Sequence, residues 1–352
     1  MRIHLLHEQD DKGVPHGCSY IRLLQPFSHP SLKGKVEITT GKNIPDAVDV
    51  IILERLWLPS FNMFHARNIL NEIKRRDVPF IYTLDDNLLD LNLEPGLKNF
   101  PTHEQRQIIR MFAQEANGII VSTNPLAERM RKFNSNIHIV PNQLDERLFT
   151  KDRKMPSHQK IRFGYMGTFS HLEDLLMILY PLRAFLTRWK NKVEFEILGI
   201  SEHVRTKAIF DGMPVKYHHL NKRDIHYHGF VKWMHKHIAW DFAIAPLART
   251  PFNDGKSDLK VLDYGIFGIP GIFSDVPSYH DTVRNENGFL VPNTEEAWEQ
   301  ALETMATDTA LRQKMAATVK QEVWETRTLA QNAWRWLDAV EKIVSQSAKK
   351  AA

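Results

Sequence analysis

The residues of this chain best suited to chemistry lie in the run Asn253-Asp254-Gly255-Lys256-Ser257-Asp258-Leu259-Lys260, which leads into the apolar pattern Val261-Leu262-Asp263-Tyr264-Gly265. A loop with glycine, lysine and serine at the start of a helix offers backbone N–H groups, an ammonium group and a hydroxyl to one anion. A diphosphate fits that set, with Lys256 as its counter-cation and Ser257 and the backbone of Gly255 to Leu259 beside it. Asp263 falls two turns further on, about 12 Å along a helix axis counted from the glycine, the reach of a sugar hydroxyl beyond a phosphate. These types and spacings point to a nucleotide joined to a sugar. Asp258 has two readings, a ligand to sugar hydroxyls or a helix cap.

Such a loop needs sheets and helices to hold it. A chain of 352 residues is long for one core and suits two domains. Strand-like apolar runs occur at Ile3 to His7, Val50 to Glu54, Phe80 to Leu84, Gly118 to Ser122 and Ile137 to Val140. The second half repeats the pattern at Ile161 to Gly167, Val193 to Leu198, His226 to Gly229, Asp241 to Ala245 and Gly271 to Phe273. Helical patterns fill the gaps, including His65 to Arg76 and Pro125 to Phe133, so both halves read as α/β with parallel sheets covered by helices. The expected layout is an N-terminal Rossmann-like domain over 1–150, a charged linker at 151–160, a second Rossmann-like domain over 161–327, and a helix over 328–352 crossing back. Trp334 and Trp336 on that last helix are more bulk than a solitary helix leaves exposed. Asp90 to Thr102, rich in Asn, Pro and Gly, reads as an irregular loop suited to be an acceptor-side lid.

Composition excludes several classes. The run of about 18 apolar residues that a membrane span needs does not occur. The net charge of +4 is spread among interleaved acids and bases, which is no footprint for nucleic acid. Lys74-Arg75-Arg76 and Lys349-Lys350 are local exceptions, read either as peripheral contacts to anionic lipid headgroups or as solvated helix ends. The lone Cys18 cannot make an internal disulfide and suits a reducing compartment. The amino terminus reads as a first strand and not as a signal peptide, so the expected location is the cytoplasm, with the inner face of the membrane as a variant of it.

Five ordered blocks carry a resemblance: Gly164-Tyr165-Met166-Gly167-Thr168 through Asp174-Leu175, His228-Gly229-Phe230-Val231, Asp241 to Leu247, the Gly-Lys-Ser loop with Gly268-Ile269-Pro270, and Asn287-Gly288-Phe289-Leu290-Val291. With Tyr82-Thr83-Leu84-Asp85-Asp86, Val121 to Leu126 and Val140-Pro141-Asn142 in the first half, the chain resembles glycosyltransferases of family 4, which have the GT-B fold. The resemblance is firm from about 118 to 292 and weak over the first 60 residues. It implies two Rossmann-like domains facing across a cleft, a nucleoside diphosphate sugar as donor, retention of anomeric configuration, and no bound metal or other cofactor. It also implies a glycan or lipid-linked glycan hydroxyl as acceptor of a hexosyl unit.

Residue roles follow from that resemblance. Gly167 and Thr168 would form the turn that meets the donor phosphates, with His171 donating a hydrogen bond to them or capping its helix. Phe230 and Val231 would line the base pocket or pack in the core. Asp263 matches the second acid of the family's paired-acid motif, one methylene shorter than the usual glutamate, while the first acid falls at Gly255. Asp85 stands where much of the family has histidine, followed by Asp86, both near the reacting sugar; read as a metal site, the pair lacks a third ligand. Gly17 would lie near the diphosphate, with Glu8, His16 and Arg55 as acceptor contacts. Two other functions are compatible with the residues, a nucleotide-sugar epimerase of the same fold and a nucleotide- or glycan-binding subunit without turnover.

Overall fold

Strands buried on both faces must alternate their side chains between two cores, and the first half of this chain does so residue by residue. The structure is a computed structural model that describes residues 1–58, 60–91, 100–153, 158–168, 171–199, 204–221 and 223–351. Its backbone contacts divide the chain into two units, the first comprising Met1–Asp145, Asp254–Ser257 and Thr328–Ala352, the second Glu146–Asn253 and Asp258–Arg327.

The first unit holds a parallel sheet of β1 (Arg2–Leu6), β2 (Glu37–Thr40), β3 (Val50–Glu54), β4 (Phe80–Leu84), β5 (Gly118–Val121) and β6 (Ile137–Ile139), in the order β2-β1-β3-β4-β5-β6. Ile51, Leu53, Tyr82, Ile119 and Val121 face one core, closed by Ile69, Leu70 and Ile73 of helix Met63–Arg76 and by Ile108, Ile109 and Phe112 of helix His103–Glu115. Ile3, Leu5, Val50, Ile52, Ile81 and Ile120 face the other, closed by Trp336, Leu337, Val340 and Ile343 of helix Trp334–Ala351. Each of those four side chains contributes about 1.5–3 kcal/mol by burial, which makes the last helix integral to this unit. Gly118 permits the approach, since a β-carbon there would come within 2.7 Å of Ile343. Trp336 is buried, as its bulk suggested, but Trp334 is 51% exposed, because it lies on the opposite side of the helix from the sheet.

The second unit holds β7 (Ile161–Met166), β8 (Val193–Leu198), β9 (Val215–His218), β10 (Phe242–Ala245), β11 (Gly271–Ser274) and β12 (Gly288–Val291), all parallel, in the order β12-β11-β10-β7-β8-β9. That is the dinucleotide-fold order 3-2-1-4-5-6, with its topological switch between β7 and β10. Phe163, Phe195 and Phe242 stack across neighbouring strands, with centroids 4.6 and 4.9 Å apart, and pack beneath helices Leu179–Arg188 and Glu295–Thr307. On the other face Gly164 leaves room for the Trp240 ring, which a β-carbon would meet at 2.0 Å. Glu196 is buried there and accepts from Trp240 Nε1 at 2.8 Å, with His218 Nε2 at 2.7 Å and Lys216 Nζ at 3.2 Å. Burial opposes its ionisation, but His218, Trp240 and Lys216 prevail and hold the carboxyl near a pKa of about 2.

One sequence expectation changes here. His226 to Gly229 is not a strand: Tyr227–His237 is a helix, and the strand expected there lies earlier, at β9. Gly229 is small because a β-carbon would meet the Arg223 carbonyl at 2.2 Å, a close helix-to-turn approach and not a strand end. Most of the expected loop from Asp90 to Thr102, and residues 154–157 of the expected linker, fall outside the described residues. Lys151 and Arg153, at the start of that linker, pack with the second unit over Trp324 and Phe267.

Candidate functional site

Open parallel sheets bind ligands beyond the carboxyl ends of their strands, at the switch point. In the first sheet that point lies between β1 and β3, and Glu8 and Arg55 lie just past the ends of these strands. Arg55 has φ of +48°, a left-handed conformation that costs a non-glycine residue about 1–3 kcal/mol and persists only where its surroundings hold it. They do so: its N–H donates to the Thr83 carbonyl at 3.1 Å, and its carbonyl accepts from the Tyr82 hydroxyl at 2.9 Å. The turned guanidinium meets Glu8 at 3.1 Å, Asp85 at 2.8 Å and Asp86. Burial lowers the affinity of Arg55 for its proton, but Asp85 and the other acids reverse this and keep it charged. Burial and Asp86 push the Asp85 carboxyl up while Arg55 pulls it down, with a net rise.

Arg55 and Glu8, both read as acceptor contacts, are therefore partners of one another. The guanidinium occupies the place between Asp85 and Asp86 that a metal reading would have given to a cation. His16 and Gly17 are exposed at the start of the short helix Gly17–Ser19.

Behind this cluster lies an acid that sequence reasoning missed. Glu54 is fully buried; its Oε2 accepts from the Glu8 N–H at 2.9 Å and from the Ser19 hydroxyl at 2.5 Å. Burial, with Asp85 and Glu8 nearby, pushes its carboxyl up to about 7. A carboxyl that rises from its ordinary 4.5 to about 7 on folding stabilises the fold fully at acid pH, and that stability is lost as pH rises through 7. The interval corresponds to about 3 kcal/mol. Glu54→Gln, which keeps the shape and removes the ionisation, is expected to stabilise the chain by up to that amount at pH 8 and to make no difference near pH 4.5. Urea unfolding at the two pH values checks it, and equal stability of variant and wild type at pH 8 would refute the assignment.

The segment Asp254–Ser257 belongs to the first unit. Thr123 donates to the Gly255 carbonyl at 2.9 Å, Asn142 Nδ2 donates to Ser257 Oγ at 2.8 Å, and Lys256 Nζ lies 3.8 Å from Asp86 Oδ1. A β-carbon on Gly255 would come within 3.1 Å of the Asn87 side chain, a tight contact. Asn142 is itself fixed by Arg22, a buried guanidinium that donates to Asn142 Oδ1 at 2.9 Å and lies 5.4 Å from the Trp336 ring.

In the second unit the switch point brings together the ends of β7 and β10. Gly167 and Thr168 follow β7. A β-carbon on Gly199 would lie 2.2 Å from the Gly167 carbonyl, so the strand end is closed tightly. His171 heads the helix Leu172–Leu176 without capping it; its Nδ1 lies 2.7 Å from Asp174 Oδ2. Lys260 donates to the Met166 carbonyl and lies 5.3 Å from the Tyr165 ring. Tyr264 donates to the Ile244 carbonyl at 3.2 Å and accepts from the Met166 N–H at 3.3 Å, tying β7 to β10.

The helix after the lysine loop is shorter than expected, Leu259–Gly265, so Asp263 stands one turn in, about 6 Å along its axis. Burial raises its carboxyl to about 7, with Lys260 opposing the rise. Asp258 occupies the N-cap position but caps nothing: its carboxylate takes Arg327 at 2.5 and 3.0 Å and the Thr282 hydroxyl at 2.5 Å. These contacts anchor Asp258 within the second unit, and the helix-cap reading of it does not hold. Phe230 and Val231 lie in the first turns of helix Tyr227–His237, Val231 buried, and do not follow a strand end.

Residues 160–308 match the family described as Glycosyl transferases group 1. The matched segment is somewhat less than half of the chain. No curated protein sequence matches it. Among solved structures it is similar to sucrose-phosphate synthase from Thermosynechococcus elongatus, with a TM-score of 0.67 at 14% identity over 98% of this chain and 100% of that one. It is also similar to Anabaena HepE in complex with UDP and glucose, with a TM-score of 0.66 at 13% identity over 97% and 99% of the two chains. The S. aureus protein TarM gives a TM-score of 0.58 at 15% identity, covering 82% of this chain and 54% of TarM. At such identities these likenesses establish the fold, and the two sheets are the Rossmann-like units of GT-B.

Among the described residues no helix is long and apolar enough to cross a membrane. Of the basic run in the first unit, Lys74 pairs with Glu115 at 2.7 Å, and Arg75 and Arg76 pair with Glu72 at 2.6 and 2.7 Å.

Proposed function

We propose that this chain is a glycosyltransferase that moves a hexosyl unit from a nucleoside diphosphate sugar to a hydroxyl of a glycan or lipid-linked glycan, with retention of configuration and without a bound metal. The reading rests chiefly on the second unit's switch point, where Gly167, Thr168 and His171 head the crevice between β7 and β10. The HepE and TarM structures that carry UDP are consistent with a nucleotide donor. In the second unit, His171 would supply positive charge to the leaving diphosphate, and Asp263 would accept from the ribose hydroxyls.

The bond from the anomeric carbon to the diphosphate oxygen breaks as the acceptor oxygen bonds to the same face, and the acceptor proton passes to the leaving oxygen. This route needs no dedicated base, which agrees with Asp85 and Asp86 being engaged by Arg55. A hydrolase would instead need two carboxyl groups set apart across the glycosidic bond, one as acid and one as base or nucleophile. For the acceptor, a cavity of about 410 Å³ in the first unit lies past the end of β3, with Trp57, Leu58 and Phe61 as apolar wall and His65, Asn68 and Glu72 as polar groups. Trp57 has φ of +61°, a second strained residue in that turn.

A melting screen with UDP, GDP, ADP and their sugars tests the donor. One diphosphate is expected to raise the melting temperature by several degrees, since ligand at a hundred times its Kd adds about 2.7 kcal/mol. Its sugar should then be turned over in EDTA, with release of the diphosphate dependent on added acceptor. A screen without any shift would remove the reading, and activity abolished by EDTA and restored by manganese would overturn metal independence.

A further inference from the structure

The roles proposed above leave out the carboxylate in the second unit on which both walls of its switch point converge. Asp174 has a side chain only 5% exposed. Its Oδ2 lies 2.7 Å from His171 Nδ1, on the segment that follows β7. Its Oδ1 accepts from the Ala248 N–H at 2.8 Å and from Asn253 Nδ2 at 3.2 Å, both on the loop that follows β10. That loop is braced in turn. Asn253 Nδ2 also donates to the Ala248 carbonyl at 3.0 Å, the Asn253 N–H donates to Thr250 Oγ1 at 3.0 Å, and the Asn253 carbonyl accepts from Ser278 at 3.0 Å. The backbone of His171 is fixed independently, its N–H donating to the Thr168 carbonyl at 2.9 Å and its carbonyl accepting from the Tyr165 hydroxyl at 3.0 Å.

We propose that Asp174 is a positioning residue for the donor diphosphate: it fixes the proton of His171 on Nδ1, so that any further proton sits on Nε2 and is donated to the leaving phosphate. The argument is one of hydrogen-bond capacity. An ionised carboxylate only accepts, so the ring nitrogen 2.7 Å from it must carry the hydrogen. Nε2 is then the position at which an approaching anion completes an imidazolium, held between the Asp174 carboxylate and the phosphate. Hydrogen bonds from charged donors are roughly twice as strong as neutral ones. This one strengthens as the departing oxygen gains charge, which makes it worth more in the transition state than in the bound donor. By bonding to both wall segments, Asp174 also sets the ring's place relative to the loop that runs into Asn253. The proposal rests on the donor reading given above and adds to it a residue that has no need to touch the donor.

Asp174→Asn keeps the shape but reverses one polarity. Its amide oxygen satisfies Ala248 and Asn253 best when the NH₂ faces His171, which then accepts at Nδ1 and carries its hydrogen on Nε2. In the full-length chain labelled with ¹⁵N-histidine, with the His171 signal identified by its absence from His171→Gln, wild-type Nδ1 is expected to be protonated without any nucleotide. In Asp174→Asn it is expected to lose that proton. Wild-type Nδ1 found unprotonated overturns the proposal without need of a variant.

With the diphosphate sugar selected in the UDP, GDP and ADP screen as probe, Asp174→Asn is expected to lower kcat about ten-fold with a smaller rise in donor KM. In a His171→Gln background the same substitution should add no further loss. Equal losses in the two backgrounds would show that Asp174 supports only the fold, and a fully active His171→Gln enzyme would likewise overturn the proposal. Failure of the donor reading shows itself separately, as wild-type protein that none of the three diphosphates stabilises.

Discussion

Lys256→Ala is expected to lower kcat/KM for the donor by about 10²–10³, the loss found when one preorganised group that faces developing negative charge is removed. Stability should barely change. The Lys256 side chain is 17% exposed and its Nζ stands 3.8 Å from Asp86, a loose pair, and Asp86 keeps Arg55 as its counter-charge when the lysine is gone. The contrast between activity and stability is the informative part. If Lys256 neutralises the leaving diphosphate, donor KM rises and kcat falls together, and Lys256→Arg recovers part of the loss. Steady-state kinetics with the donor found in the melting screen, set beside urea unfolding, decides the matter, and normal turnover without the ammonium group removes Lys256 from the mechanism.

Arg55→Ala is expected to act in the opposite manner, first on stability. It leaves Glu8, Asp85 and Asp86 facing one another, with Glu54 buried behind them, and removing one partner of a buried ionic cluster costs about 3–5 kcal/mol. The loss has a direction in pH. Without the guanidinium the three acids repel, each holds its proton to higher pH, and the unfolded chain is favoured once they must ionise, so the deficit is largest at pH 8 and shrinks toward pH 5. Because φ at this position is +48°, Arg55→Gly separates backbone strain from charge. Glycine adopts that conformation without the cost borne by other residues, so Arg55→Gly should be more stable than Arg55→Ala by up to about 1 kcal/mol while keeping the same pH dependence. Urea unfolding of both variants at pH 5 and pH 8 measures this, and a deficit that does not vary with pH would show that the cluster carries no net repulsion.

Glu54→Gln and Arg55→Ala probe one network from two sides. The first removes an acid that the fold prefers neutral, and the second removes the cation that lets the others stay ionised. Neither residue stands out in the sequence for these roles. Glu54 ends a strand of apolar residues and reads as its polar terminus. Arg55 lies 47 residues from Glu8 and 31 from Asp86, and what it meets depends on the neighbouring order of β1, β3 and β4. The pair His171 and Asp174 was more legible, since a histidine and an acid three apart at a helix start are within reach of each other. That Asp174 also holds Ala248 and Asn253 was not, because those contacts come from β10 lying beside β7.

The β9 region shows a different limit. Val215-Lys216-Tyr217-His218 alternates apolar with polar residues over only four positions at the sheet edge, a weak strand signal. The His228-Gly229 pair, in contrast, suggested a strand end where the glycine serves a close helix-to-turn approach.

By itself the sequence determined the two parallel α/β units, most of their strands, and the residue types of an anion-binding loop. These rest on periodicity and local chain stiffness, which act between residues a few positions apart. Tertiary structure alone decided which charges are spent on one another: Arg55 on Glu8, Asp85 and Asp86, Arg327 on Asp258, and Asp174 on His171 and two donors from the loop after β10. Ionic and hydrogen-bond energies fall off over a few ångströms in space regardless of separation along the chain, so the partners of each charge are set by the order of the strands and not by the spacing of residues.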